Sequence, residues 1–474
     1  MITLGNGDTW VLYASQDVKI LRTSNQIRFQ GHITGKLRIA YIGKDNSNLP
    51  VYEKFKDAIP VSGSISYYTA SVYAYINFAF NCESLSGAAS PRNALIFALP
   101  HHLDSLYKPN IQDLKFKTVR GTITAIAKNK WYMKETLTLP TWQDQGNPIS
   151  FTSMLIFKST LTADIDHYAD PARQAEFPIY RVGVQINRLA RLALIADYLS
   201  ESSHANKARD AIKRILIPRL ENTSGNKLLY DTVYGGIITD QDVKGDVENS
   251  INSEYFSHHH DYGYLIYGAA VVGKVDSAFL TKYKDVLLEL VRDYANPSQS
   301  DPYFPFSRQK DWYRGHSWCG GLAEYDDNRN EQSVSESIHS YYAISLLGEA
   351  LNDVPLKVWG SLLATTEIRS AKKYYQMPDD SVYPEVFAKN RMVGTMWSTK
   401  VDYRMYFGDK VEYMHGMNML PFSPITTKLL SYSYILKEYQ VFGAADPKDE
   451  WLSYQIMAEA VINPVTAFTR ATTV

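Results

Sequence analysis

The run His258-His259-His260-Asp261-Tyr262-Gly263-Tyr264 sets three imidazoles beside a carboxylate and two phenols. Adjacent histidines invite a metal. Successive residues on a helix, however, point about 100° apart, so three neighbouring side chains do not reach one ion. No metal is expected here, and a carboxylate among histidines and tyrosines suits acid–base work better. A partner carboxylate is available in a second stretch. It runs Asp311-Trp312-Tyr313-Arg314-Gly315-His316-Ser317-Trp318, then Gly320-Gly321-Leu322, and continues as Asn330-Glu331-Gln332-Ser333-Val334-Ser335-Glu336. Glu331 and Glu336 are its carboxylates, facing a cleft lined by Trp312, Tyr313 and Trp318 in one reading. In the other, Ser333 or Ser335 caps a helix and Glu336, three residues after Ser333, completes a capping box.

Stepping outward, helices hold both stretches. From about residue 178, Val182, Ile186, Leu189, Leu192, Ile195, Ala196 and Leu199 follow a 3.6-residue period, with Arg188, Arg191 and Asp197 between them. Similar helical stretches are predicted near 206–220, 261–273, 278–294, 335–351, 426–440 and 451–462. Many amphipathic helices with long loops and few strands suggest an α/α toroid or an irregular bundle. Residues 1–149 read as β. Trp10-Val11-Leu12-Tyr13, Gln26-Ile27-Arg28-Phe29 and Leu37-Arg38-Ile39-Ala40-Tyr41-Ile42 are rich in β-branched and aromatic residues and are separated by turn formers. In Tyr73-Ala74-Tyr75-Ile76-Asn77-Phe78-Ala79-Phe80 a period of two puts Ile76, Phe78 and Phe80 on one face and the tyrosines on the other. A β-sandwich, or part of one, is expected. Residues 150–177 show no clear period and are expected to link the β part to the helical part, 178–474.

Composition narrows the chemistry. The chain has 474 residues, is 45% apolar and carries a formal net charge of −1, enough to bury a large core. Neither half is strongly basic, which argues against nucleic acid as a partner. No run of about 18 apolar residues is present, so no membrane span is expected. Met1 to Asp8 has neither a basic nor an apolar leader segment. Two cysteines, Cys82 and Cys319, make no disulfide framework. Asn222-Thr223-Ser224 is a glycosylation sequon, relevant only to a secreted chain. The 35 tyrosines stand out. Rings with a polar tip suit surfaces wetted on one side, including sugar clefts, and equally suit core and interface packing. Hydrolysis of a glycosidic bond needs two carboxyl groups, one protonated to help the leaving oxygen and one ionised. An inverting pair stands roughly 6.5–9.5 Å apart, leaving room for a water.

Six elements in the right order resemble those of glycoside hydrolase family 81. Asp311 to Trp318 resembles its D-[WYF]-x-R-G-H-S-W signature, and Asn330 to Glu336 is similar to N-[QE]-E-S-x-S-E. Ser257 to Tyr264 resembles D-H-H-x-H-Y-G-Y, Leu95 to His102 an F-A-L-P-H-H element, and Tyr230 to Gly236 a Y-D-T-x-W-G-G element. Glu412-Tyr413-Met414-His415-Gly416 with Leu420-Pro421 resembles a late H-G-x-x-x-L-P element. The resemblance implies a β-sandwich, a small linking domain and an (α/α)6 barrel. It implies inverting endo-hydrolysis of β-1,3-glucan outside the cell or in a cell wall, with no cofactor. It also implies a start earlier than the point matching Met1. Three positions depart from the motifs. Ser257 stands at the general-acid Asp, Asp261 at a later His, and Gln332 at the first Glu of the later pair, the one read as base. Asp261 lies one helical turn after Ser257, on the same face.

Two readings follow. In one, Asp261 is the acid and Glu331 or Glu336 the base of an active hydrolase. Its substrate is then held by His258, His259, Tyr262, Tyr264, Asp311, Trp312, Arg314, His316, Trp318, Gln332 and His415. In the other, the chain is a catalytically silent glucan binder that keeps the aromatic cleft.

Overall fold

A computed structural model describes the chain apart from residues 24, 88–92, 144–149, 172–177, 241–250, 380, 449 and 474. It divides into two compact units, Met1–Thr136 and Leu137–Val474.

The first unit is built from antiparallel sheets. Thr9–Ala14 lies between Ile2–Thr3 and Leu37–Gly43, and Gly121–Ala127 lies between Leu95–Ala98 and Ile111–Thr118. Val11, Tyr13 and Ile42 from the first sheet share a buried core with Leu95, Leu114, Ala125 and Ala127 from the second. A third sheet places Tyr73–Ser84 between Ala58–Ala70 and Lys130–Thr136. The strand expected at 73–80 is there, and its period of two holds, with Ile76 and Phe78 buried while Tyr73 and Tyr75 are partly exposed. His101 and His102 of the Leu95–His102 element are wholly buried in this unit. His102 Nδ1 accepts from the Leu99 amide at 3.1 Å, closing a short turn.

The second unit is mainly helical. Three helical pairs are joined by three-residue turns: Ile179–Tyr198 with Ser202–Leu220, His258–Gly273 with Ser277–Ala295, and Val334–Ala350 with Val354–Tyr374. Two of these helices are buried on every side, His258–Gly273 over its full length and Val334–Ala350 over all but its last residues. Their sequences therefore lack a polar stripe. Close approach is the reason they fit together. A Cβ on Gly263 would meet Ser340 Cβ at 2.5 Å, and one on Gly183 would meet Tyr264 Cβ at 2.9 Å. Only glycine lets these three backbones come this near.

Three expectations change. Phe151–Tyr168, expected in a linking stretch, is an 18-residue helix, capped where Ser150 Oγ accepts from the Ser153 amide. Its apolar residues make no clean stripe, since Phe151, Leu155, Ile156 and Phe157 are exposed while Leu161 and Ile165 are buried. Residues 172–177 of the same stretch lie outside the described residues. The helix expected at 426–440 is two, Thr426–Leu429 and Tyr432–Phe442, because Leu430 turns extended and Ser431 starts a new cap. Val354–Tyr374 was not foreseen, although Asp353 caps it and Pro355 sits in its first turn. Among the described residues no helix is long and apolar enough to cross a membrane.

Candidate active site

Backbone hydrogen bonds stitch the motif stretches together. The Ser257 amide donates to Cys319 O at 2.8 Å, and the Cys319 amide donates to Asn330 O at 2.8 Å. Ser257 takes a left-handed φ of 53° to make this junction and open its helix. Asn330–Glu331 then pairs with Thr395–Trp397, which brings Trp397 alongside. The floor beneath is clamped by a buried pair, Lys310 Nζ to Glu367 Oε2 at 2.5 Å, whose other oxygen accepts the Ser317 amide at 2.7 Å.

Above this junction lies a cleft of about 1190 Å³. Asp261, Glu336, His260, Ser257, Gln332 and Asn252 line its interior, and Phe256, Tyr180, Tyr325, Trp397 and Tyr406 supply rings. Glu336, at the start of Val334–Ala350, is 3% exposed. Its Oε1 accepts from Tyr264 Oη at 2.6 Å and from Tyr180 Oη at 3.0 Å. Burial, and then the charge of Glu336, pushes both phenols well above their ordinary range, so both stay protonated and donate. Oε2 faces His260 Nδ1 at 3.9 Å. Asp261, one turn into its own helix, accepts the Asn252 side-chain amide on Oδ2 at 2.9 Å.

Ser333 does begin the Val334–Ala350 helix, but no capping box forms. Its hydroxyl donates to Met417 O at 2.8 Å, and the Glu336 carboxylate turns to the cleft.

The three histidines separate. His258 is wholly buried, with Nδ1 at 2.7 Å from Asp293 Oδ2 and Nε2 at 2.7 Å from Asn252 O. Burial pushes this imidazole down, but the charge and hydrogen bond of Asp293, the Asn252 carbonyl and the charge of Asp261 together outweigh it, and the net shift is upward. Asp293 also accepts the Ile237 amide, so His258 anchors the helix start to the Gly236–Thr239 strand. His259 and His260 turn instead toward Glu331, with His259 Nε2 3.3 Å from Oε2 and His260 Nε2 3.6 Å from Oε1. Burial holds both imidazoles neutral, His259 down at about 3 and His260 down at about 4.

Several expected site residues lie away from the cleft lining. Glu331 is fully buried, accepts the Ser333 amide at 3.0 Å and the Ser337 hydroxyl at 3.1 Å, and does not line the cleft. Burial raises its carboxyl above the usual range. His258, His259, Tyr262 and Tyr264 are also buried and line no part of the cleft. Tyr262 donates to Ile237 O at 2.6 Å, and Tyr264 reaches the cleft only through Glu336. No residue of the Asp311–Trp318 stretch lines the cleft. Asp311 accepts the Arg314 amide and Trp318 Nε1. Trp312 stacks on Phe306, and the buried His316 packs against Trp318 and Tyr375. Tyr313 is absent from the lining too. His415 is buried against Glu438 at 2.7 Å and stacks on Phe442. Asp261, Glu336 and Gln332 are the expected site residues that line the cleft. Tyr180, Asn252, Tyr325, Trp397 and Tyr406 were missed. They lie outside the motif stretches, and only the helical period beginning near 178 pointed to the neighbourhood of Tyr180.

Known proteins match over nearly the whole chain. The family model described as "Glycosyl hydrolase family 81 C-terminal domain" matches residues 151–473, and its N-terminal counterpart matches 1–143. A glucan endo-1,3-beta-D-glucosidase from Glycine max is 32% identical over 91% of this chain and 65% of its own length. A primary septum glucan endo-1,3-beta-D-glucosidase from Schizosaccharomyces pombe is 27% identical over 94% of this chain and 45% of its own length. A solved glycoside hydrolase family 81 structure from Clostridium thermocellum superposes with a TM-score of 0.85 at 21% identity, covering 98% of this chain and 65% of that one. The chain thus spans about half to two-thirds of the length of these relatives.

Proposed function

The chain belongs to glycoside hydrolase family 81, and on that premise we propose that its cleft binds β-1,3-glucan and hydrolyses internal β-1,3-glucosidic bonds with inversion. One observation carries this reading. Asp261 and Glu336 line the same cleft, each oriented by side-chain donors. Asp261 serves as the acid. The Asn252 amide on Oδ2 orients it, and its proton passes to the leaving glucosidic oxygen. Glu336 serves as the base. Two phenols occupy Oε1, so Oε2 takes the proton of a water attacking from the opposite face of the sugar. The rings of Tyr325, Trp397 and Tyr406 offer apolar faces to pyranose rings. The Gln332 side-chain oxygen is buried with no hydrogen-bond partner among the described residues, ready to accept a sugar hydroxyl. The same family reading implies an (α/α)6 arrangement for the helical unit, supported by its helical pairs with three-residue turns. Action outside the cell or in a cell wall fits the primary-septum name of the Schizosaccharomyces pombe relative.

A second reading has its own support. Ser257 and Gln332, which stand where the family motifs carry acidic groups, face the cleft as a hydroxyl and an amide. On that reading the chain binds glucan without cutting it. Incubating the purified protein with linear β-1,3-glucan, and following both product lengths and bound glucan, separates the two. Oligosaccharides of several lengths support the hydrolase, whereas binding with no product supports the silent relative. Neither binding nor product removes both.

A further inference from the structure

The rotation between successive helical residues excludes one ion shared by His258, His259 and His260, and His258 does turn away to Asp293. It does not exclude two neighbours meeting a third group brought in from outside the helix. Glu331 arrives on a short strand opposite the helix start and meets both remaining imidazoles. The three residues offer ligand atoms that all lie within 4.8 Å of one another. We propose that His259, His260 and Glu331 form a binding site for one divalent transition-metal ion of the zinc class, behind the wall of the cleft.

The donor chemistry fits. Two imidazole nitrogens and one carboxylate oxygen make an open zinc site, leaving a fourth position. Donors at about 2.0–2.1 Å around a tetrahedral ion stand about 3.3 Å from one another. His259 Nε2 stands 3.3 Å from Glu331 Oε2 and His260 Nε2 stands 3.6 Å from Oε1, and one ligand atom from each residue lies within 4.8 Å of the others, so the donors need only draw together around an ion. Ser337 Oγ lies 2.8 Å from His259 Nε2, 3.2 Å from His260 Nε2 and 3.1 Å from Glu331 Oε2, placed to serve as the fourth donor or to hold a water there. Ligating histidines commonly turn their other nitrogen to a carboxylate, and His260 Nδ1 faces Glu336. An ion enters from the cleft, which His260 lines.

This inference stands on geometry and does not depend on the glucan reading, so its test contains no glucan. Metal-free protein is titrated with Zn2+ by calorimetry and with Co2+ by visible absorption, and the zinc-loaded protein is studied by X-ray absorption. The expected result is one ion per chain, tetrahedral Co2+ bands, and a zinc shell with two imidazoles. Glu331→Gln and His260→Phe, checked for folding by circular dichroism, should each weaken binding by about 100-fold or more. Residues that merely orient ligands already contribute about 10–100-fold. No stoichiometric binding overturns the proposal, as does a zinc shell without paired imidazoles. Binding unchanged in both variants also overturns it, by placing the ion at an exposed histidine such as His32. The wild-type spectrum decides should either variant fail to fold.

Discussion

At the scale of single residues, the account rests on which carboxylates face the cleft. Glu331 and Glu336 are five positions apart and indistinguishable by type. One is sealed against histidines and serine, and the other is presented to the cleft by Tyr180 and Tyr264. Glu336→Gln should lower glucan hydrolysis by about 10²–10⁴-fold, the range of a lost general base, while glucan affinity and the melting temperature stay close to wild type. Reducing-end release and a binding isotherm check this. Tyr180→Phe removes one of the two donors that orient Glu336. It should reduce kcat roughly tenfold with little change in KM, the size of a lost hydrogen bond to a charged group. A change confined to KM would assign Tyr180 to substrate binding instead. The sequence showed the carboxylates but not their directions. Adjacent motif positions differ by a strand's alternation or a helix's rotation, and only the folded backbone decides which faces solvent.

At the scale of elements, the helices that carry the site meet through glycines. Gly263 touches Ser340, and Gly183 touches Tyr264, which holds Glu336. A methyl group at Gly263 forces apart the two helices bearing Asp261 and Glu336. Gly263→Ala should therefore destabilise the protein by about 1–3 kcal/mol, as overpacked cores do, and should reduce activity more than its stability loss explains. Denaturant melts with parallel rate measurements test this. Elements with one buried face were legible in advance. Tyr73–Ser84 alternates, and Ile179–Tyr198 repeats every 3.6 residues, because each has a wet side to contrast with its dry one. Phe151–Tyr168 exposes much of its apolar surface and so does not show that contrast. The Asp311–Trp318 stretch misled for a related reason. Its rings and charges look like a binding wall, yet Trp318 donates to Asp311 within the stretch and Trp312 stacks on Phe306.

At the scale of the whole molecule, buried histidines govern the response to acid. Burial depresses His259 and His339 to about 3 and His260 to about 4, below the ordinary 6.5 that they regain on unfolding. Between those values the unfolded chain binds protons that the folded chain refuses, so stability rises with pH there. The contribution is fully present above pH 6.5 and is lost as pH falls toward 4 and then 3. His258, raised by Asp293, runs the other way, but three such groups outweigh one. Melting temperature should therefore fall as pH drops below 6.5. In His339→Phe the slope of stability against pH should flatten by about 1.4 kcal/mol per pH unit, one proton's worth. An unchanged slope would show that His339 is protonated in the folded chain. The proposal at stake is that this chain cuts glucan by two carboxyl groups acting across a water. Proton NMR of the first products formed from linear β-1,3-glucan tests it most directly. The account predicts that new reducing ends appear first as the α-anomer and only later equilibrate. The β-anomer appearing first, or no product at all, would contradict it.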